Sequence, residues 1–268
     1  WIENWTARIN DAAGSAGQLA IRGGGSKTFY GGREQGERLD VGAYRGIVAY
    51  EPTELVVSAR AGTPLVELTA TLAEKEQWLA FEPPHFAPTA TVGGMLASGL
   101  SGPRRQAVGA VRDFVLGVKL LNGLGELLSF GGQVMKNVAG YDVSRLLAGS
   151  LGTLGVVLEV SLKVLPLPMA EKSLRFVIDE ATALQKLNQW GGRPLPISAS
   201  AWHDGILTLR LSGAAAAVTA AERLLAGEWV DAAEAEVYWQ SLREQTHAFF
   251  AGDAPLWRLL AQRLPIDF

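Results

Sequence analysis

With 268 residues the chain is long enough to bury a real core as one large domain or two modest ones. Its 24 basic and 27 acidic residues leave a net charge of −3, with no long run of either sign, which argues against a nucleic-acid footprint. Cysteine is absent, which excludes disulfides, iron–sulfur clusters, thiolate zinc and a cysteinyl nucleophile, and fits a reducing cytoplasm. The three histidines, His85, His203 and His247, are too scattered for a metal spacing, so no metal is expected. No apolar run reaches 18 residues, and the start, Trp1-Ile-Glu-Asn-Trp5, lacks the regions of a signal peptide. The expectation is a chain that neither spans a membrane nor is secreted.

In chain order, Ile2, Trp5 and Ile9 recur at helical spacing over 1–13, and Gln18–Arg22, Leu39–Val41 and Gly46–Tyr50 read as short strands. These make a small α/β unit ending near residue 50. Leu55–Arg60 reads as a strand, and Thr63-Pro64 starts a helix through Leu72. Glu82-Pro-Pro-His-Phe-Ala-Pro88 is a loop, since its prolines remove donors and fix φ. Val92–Ala97 reads as a short helix. Phe114–Leu121 and Glu126–Phe130 form a hairpin across Asn122-Gly123, and Gly155–Val164 is a long strand.

Glycine marks a boundary: 25 of the 31 glycines lie between Gly14 and Gly155. The composition break near Pro166 and Pro168 therefore separates residues 1–168 from 169–268. Beyond it, Leu174–Ile178 reads as a strand, Glu180–Trp190 as a helix, Ile197–Trp202 and Ile206–Leu211 as strands, and Ala214–Leu225 as a helix. That βαββα order makes a partial ferredoxin-like module without an evident fourth strand, followed by a helix over Glu234–Phe250.

Three glycine-rich clusters carry the chemistry. Arg22-Gly-Gly-Gly-Ser-Lys27 follows a strand, where adjacent glycines let the backbone approach a ligand and point N–H groups at one anion; the same three glycines also suit an ordinary turn. The run into Thr28-Phe-Tyr-Gly-Gly32 is not a Rossmann fingerprint, which opens a helix. Thr91-Val-Gly-Gly-Met-Leu-Ala-Ser98, continuing to Gly102-Pro-Arg-Arg105, is a stretch of small residues on which a flat ring can lie, with hydroxyls at Thr91, Ser98 and Ser101. Gly149-Ser-Leu-Gly-Thr-Leu-Gly-Val-Val157 sets another open loop before a strand.

In this order and spacing the clusters resemble the FAD-binding domain of the vanillyl-alcohol oxidase or p-cresol methylhydroxylase (PCMH-type) superfamily, over about Arg22 to Pro168. Lys136-Asn-Val-Ala-Gly-Tyr-Asp142 adds a signature of its FAD-linked D-2-hydroxyacid dehydrogenase branch. Together with Glu82-Pro-Pro-His and Gly102-Pro-Arg-Arg it is most similar to FAD-binding subunits of bacterial glycolate oxidases. The resemblance implies an α+β fold, a PCMH-type FAD-binding domain of two α/β subdomains, with a larger mixed sheet, followed by a partial ferredoxin-like cap. It implies FAD held by Gly23, Gly24, Gly25, Ser26, Lys27, Pro84, Thr91, Gly93, Gly94, Ser98, Gly102, Gly152, Gly155 and Val157. Ser26 and Lys27 stand where some members attach FAD to a histidine, so the cofactor is expected to be non-covalent.

The resemblance further implies a flavoprotein subunit oxidising a small 2-hydroxy acid, glycolate, and passing electrons to a second flavin subunit and an iron–sulfur subunit. Those partners would bring a cytoplasmic chain to the inner face of the membrane. A structural subunit with inert or absent FAD, and a stand-alone D-2-hydroxyacid dehydrogenase, remain as alternatives, because no set of catalytic residues is evident past residue 168. The end at Phe268, without a recognisable terminal segment of the superfamily, reads as an incomplete C-terminus. His85 reads as a hydrogen-bonded loop histidine rather than a base. Arg104 and Arg105 suit either an anionic ligand or solvent, and Lys136 either a flavin edge or a structural pair with Asn137.

Overall fold

The computed structural model describes residues 1–132, 142–253 and 255–256. The first module opens with α1 (Ile2–Gly14), which buries Trp5 and Ile9 on one face. It continues through β1 (Leu19–Arg22) and β2 (Glu37–Asp40), a parallel pair. Next come β3 (Ile47–Glu51), β4 (Val56–Arg60), α2 (Leu65–Ala73), the two-residue β5 (Gln77–Trp78) and α3 (Val92–Ser98). The helical turns α4 (Arg105–Val108) and α5 (Val111–Phe114) lead into β6 (Val115–Leu121) and β7 (Leu127–Gly131). After α6 (Val143–Leu146) come β8 (Val156–Lys163) and β9 (Leu165–Pro166).

Five of these strands form one sheet in the order β3-β4-β8-β6-β7, every pair antiparallel, in place of the mixed sheet expected. The expected first unit loses one strand as well: β3 pairs with β4 and belongs to this larger sheet, so only β1 and β2 stand apart. Leu65, Leu68 and Leu72 of α2 and Met95 and Leu96 of α3 cover one face, over Val57, Val160 and Leu162. Trp5, Ile9, Leu39, Val156 and Leu158 cover the other. A register shift between Lys119 and Leu120 leaves Leu158 unpaired, and Val157 points into the first core.

The hairpin β6–β7 forms as expected, but its turn is not a two-residue Asn-Gly turn. Asn122 accepts the N–H groups of Leu124 and Glu126 on its side-chain oxygen, and Gly125, at φ +72°, takes the left-handed position.

The second module runs β10 (Ala170–Val177), α7 (Glu180–Gly191), β11 (Ile197–His203), β12 (Ile206–Gly213), α8 (Ala215–Leu225), β13 (Glu228–Val230) and α9 (Ala232–Arg243). Its antiparallel sheet has the order β11-β12-β10-β13, so a fourth strand is present; at three residues it is too short to show periodicity. Strand β12 alternates. Leu207, Leu209 and Leu211 face the α7 and α8 side, whereas the buried Thr208 and Arg210 lie on the opposite face. The helix expected over 234–250 stops at Arg243. Gln245 adopts φ +54° while its N–H bonds Leu242 and that of Thr246 bonds Ser241, a left-handed stop more often built on glycine.

Candidate functional site

A cleft of about 400 Å³ opens where the loop after β1, the start of α3 and the loop before β8 converge. Its wall includes Gly23, Gly24, Gly25, Ser26, Lys27, Thr91, Gly94, Ser98 and Gly152 of the expected site residues. A second hollow of about 260 Å³ adjoins it, sharing Leu19, Ile21, Gly152 and Thr153, and there Gly155 is found. Three segments far apart in sequence thus meet in one elongated depression.

The glycines in it do two kinds of work. At Gly94 a Cβ would meet only the Thr91 hydroxyl, at 3.2 Å, and at Gly152 only the Ile21 side chain, from 3.4 Å, so both leave open space in front of the backbone. At Gly24 a Cβ would fall 1.4 Å from the Thr89 carbonyl, and at Gly23 2.6 Å from Thr91 Oγ1; there the missing side chain seats the loop on the residues before α3. Gly93 packs on Ala61 and Gly102 on the Glu82 carbonyl, so neither lies on the cleft wall. Val157 is core, and Pro84 is buried beside the cleft without lining it. The expected hydroxyls serve the chain itself: Thr91 caps α3 by accepting from Gly94 N–H, Ser98 donates to the Met95 carbonyl, and Ser101 accepts from Val111 N–H.

Lys27 is the charged group at one end of the cleft. Its amine donates at 3.4 Å to Ser26 Oγ and the His85 carbonyl and lies 5.5 Å from the Phe86 ring, with no carboxylate in salt-bridge reach among the described residues. Burial lowers its pKa to about 8, against the opposing pull of Glu244. Arg22, paired with Glu34 at 2.7 Å, adds a second cation to the wall. His85 is held below its ordinary value, first by burial, with Glu244 opposing and Arg243 and Lys27 adding to the shift. Its backbone N–H and that of Phe86 donate to the Glu244 carboxylate at 3.0 and 2.7 Å.

Arg104 neutralises carboxylates of the chain itself and is buried from solvent. Its guanidinium lies on Trp78, donates to Ser212 Oγ at 2.9 Å and pairs with Glu171. Glu82 accepts from the Arg104 backbone N–H at 2.9 Å and pairs with Arg210 at 2.8 Å, while Arg210 stacks on Trp239. Glu82, Arg104 and Arg210 are each under a tenth exposed and Glu171 closes the set from its partly exposed rim, so three buried charges and one at the edge form a lock between the modules. Arg105 opens α4, and Lys136 and Asn137 lie outside the described residues. Glu171, Arg210 and Glu244 were not legible as site residues: only the alternation of β12 hints that Arg210 faces inward.

A family model for an FAD binding domain matches residues 4–131. Glycolate oxidase subunit GlcE of Escherichia coli K12 is 50% identical over 260 residues, 97% of this chain and 72% of that protein. The chain belongs to the GlcE family. The match crosses both modules, so the cleft and the buried lock lie inside it. More distant relatives match about half of the chain. D-lactate dehydrogenase of Anaerostipes hadrus is 38% identical over 128 residues, 48% of this chain and 26% of that protein, and glycolate oxidase subunit GlcD of Bacillus subtilis is 33% identical over 129 residues, 48% and 27%. A solved alkyldihydroxyacetonephosphate synthase shares the fold, with a TM-score of 0.66 at 16% identity over 91% of this chain and 56% of that one.

Proposed function

We propose that this GlcE-family chain is the FAD-binding subunit of a glycolate-oxidising complex, holding FAD non-covalently in the cleft between Gly23–Lys27, Gly94–Ser98 and Gly152–Thr153. The observation that carries this reading is the meeting of the three glycine-rich segments around one depression, with backbone left open at Gly94 and Gly152 and, at Lys27, an amine without an ion pair among the described residues. These atoms suit a dinucleotide diphosphate: small walls for a flat ring, N–H groups and a cation for two negative charges. Arg22, Ser26 and Thr91 complete the polar wall.

FAD, when bound, supplies two-electron chemistry with a 2-hydroxy acid such as glycolate. The residues of the chain orient it, keep water from its inner edge and set the local charge. Non-covalent binding is supported by Ser26 and Lys27 in the first loop, where histidine would be required, and by the absence of cysteine. Electrons would then pass to a second flavin subunit and an iron–sulfur subunit, on the cytoplasmic side of the membrane; no helix among the described residues is long and apolar enough to cross it. Pro84, Gly93, Gly102 and Val157 act in this reading through packing around the cleft.

The purified chain should show flavin absorbance, directly or after incubation with FAD, and acid precipitation should leave all of the flavin in the supernatant. A chain without flavin bands under both conditions rejects the cofactor. Flavin retained in the acid pellet rejects the non-covalent link. Glycolate added to the loaded chain without partner subunits should leave the flavin absorbance unbleached; rapid bleaching would make it a stand-alone dehydrogenase.

A further inference from the structure

Glu244 reaches out of the second module and ends on the first. It lies directly after α9, where Gln245 turns the chain in the left-handed conformation, and its carboxylate accepts the N–H groups of His85 and Phe86 at 3.0 and 2.7 Å. Arg243 braces it, with Nε 2.7 Å from one carboxylate oxygen and an aliphatic stem against the position of a Gly102 side chain. Phe86 itself stands at φ +58°, a conformation that costs a bulky residue free energy unless neighbours hold it. The carbonyl of His85, in that same turn, is one of the two acceptors of Lys27 Nζ. The chain of contact therefore runs from α9, through Glu244 and the His85–Phe86 turn, to the cation at the end of the cleft.

We propose that Glu244 is a positioning residue for the cofactor cleft: it clamps the His85–Phe86 turn in its strained form and places its negative charge where it keeps Lys27 cationic and aimed at the diphosphate. This rests on the reading of the cleft as an FAD site. A purely structural clamp would act through the two N–H bonds alone. The clamp proposed here acts through charge as well, because Glu244 is the carboxylate that opposes the loss of the Lys27 proton on burial. The charged and titratable groups facing Lys27 are Glu244 and His85, with Arg243 behind them and the Arg22–Glu34 pair across the loop. Above about pH 7 His85, held below its ordinary value, is neutral, so Lys27 is the member that titrates.

The test measures the FAD dissociation constant of the whole chain by fluorescence from about pH 7 to pH 10, for wild type, Glu244→Gln, Glu244→Ala and Lys27→Met. Wild-type affinity should fall as pH rises through the titration of Lys27, and Lys27→Met should lose that fall. Glu244→Gln keeps the shape of the clamp without its charge, so its profile should move to lower pH; a displacement of about one unit means a roughly tenfold smaller protonated fraction on the alkaline side. Glu244→Ala should also weaken binding at about pH 7, several-fold, since both N–H groups lose their acceptor. In the ligand-free chain, the pH profile of Lys27 acylation, read by mass spectrometry, should move in the same direction in Glu244→Gln. A Glu244→Gln chain with the wild-type profile in both measurements overturns the proposal and leaves the FAD reading intact. A wild-type chain that binds no FAD overturns both.

Discussion

The loop Glu82-Pro-Pro-His-Phe86 touches the second module at both ends, and the two contacts are built differently. At Glu82 four charges close on one another: Glu82 with Arg210, Arg104 with Glu171, two tryptophans stacked on the guanidiniums, Ser212 on one N–H of Arg104 and Ser198 on one of Arg210. At His85–Phe86 one carboxylate meets two backbone N–H groups, and the neighbouring amine of Lys27 lacks an ion pair among the described residues. Both sites bury charge, at a cost that pairing must offset. The first is nearly self-sufficient, with Arg104 Nε the only buried side-chain N or O atom of the described residues that lacks a hydrogen bond. The second leaves a cation with its charge unmatched beside a cleft. The comparison separates the contact that holds the modules together from the one that faces a ligand.

The largest effect should come from breaking the closed contact. Arg210→Met leaves Glu82 buried with half of its partners gone, and loss of one member of a buried pair costs about 3–5 kcal/mol. Chemical denaturation of the two chains measures this. A loss below about 1 kcal/mol would place the lock among weak, solvated ion pairs. Glu244→Ala, at the open contact, should cost much less stability while affecting the cofactor more.

Two glycines sharpen the contrast within the cleft. Gly24→Ala drives a methyl group into the Thr89 backbone, an overpacking that should cost about 1–3 kcal/mol and disturb the loop before any ligand is considered. Gly94→Ala brings its methyl to 3.2 Å from Thr91 Oγ1, the cap of α3, and otherwise faces the cleft, so it should cost less, about 1 kcal/mol at most. FAD retention should nevertheless fall in both. Thermal melting beside flavin content separates the two cases; a strongly destabilised Gly94→Ala chain would show that this glycine serves packing.

These tests also mark what could be read before the structure was known. The strands and helices around the clusters followed from periodicity, proline and glycine, and α3 appeared over the expected Val92–Ala97, with Thr91, read as a hydroxyl for a ligand, serving as its cap. Of the glycines expected at the cofactor, Gly93 and Gly102 sit against neighbours that the fold brings, Ala61 in one case, Glu82 and Arg243 in the other. Nothing local marks Glu171, Arg210 or Glu244, because each gains its meaning from a partner 67 to 159 residues away. The stop of α9 was hidden for a similar reason, a glutamine occupying the turn that glycine usually announces.

The most diagnostic effect is expected at Lys27. Burial lowers its pKa from 10.5 to about 8, so the free folded chain holds this proton less tightly than the unfolded chain. Between those two values the unfolded state binds more protons, and stability contributed by this group rises with pH. Below about pH 8 the amine is charged in both states and its desolvation is a standing cost. Lys27→Met should therefore raise the melting temperature of the FAD-free chain at neutral pH, with the advantage over wild type shrinking as pH climbs past 8. With FAD bound the order should reverse, because the diphosphate then supplies the missing counter-charge and a charge-assisted hydrogen bond contributes about 1.5–3 kcal/mol. Melting curves of both chains with and without FAD test this. Equal or lower stability of the FAD-free variant would mean that Lys27 is already matched inside the protein, and the difference between the two ends of the loop would disappear.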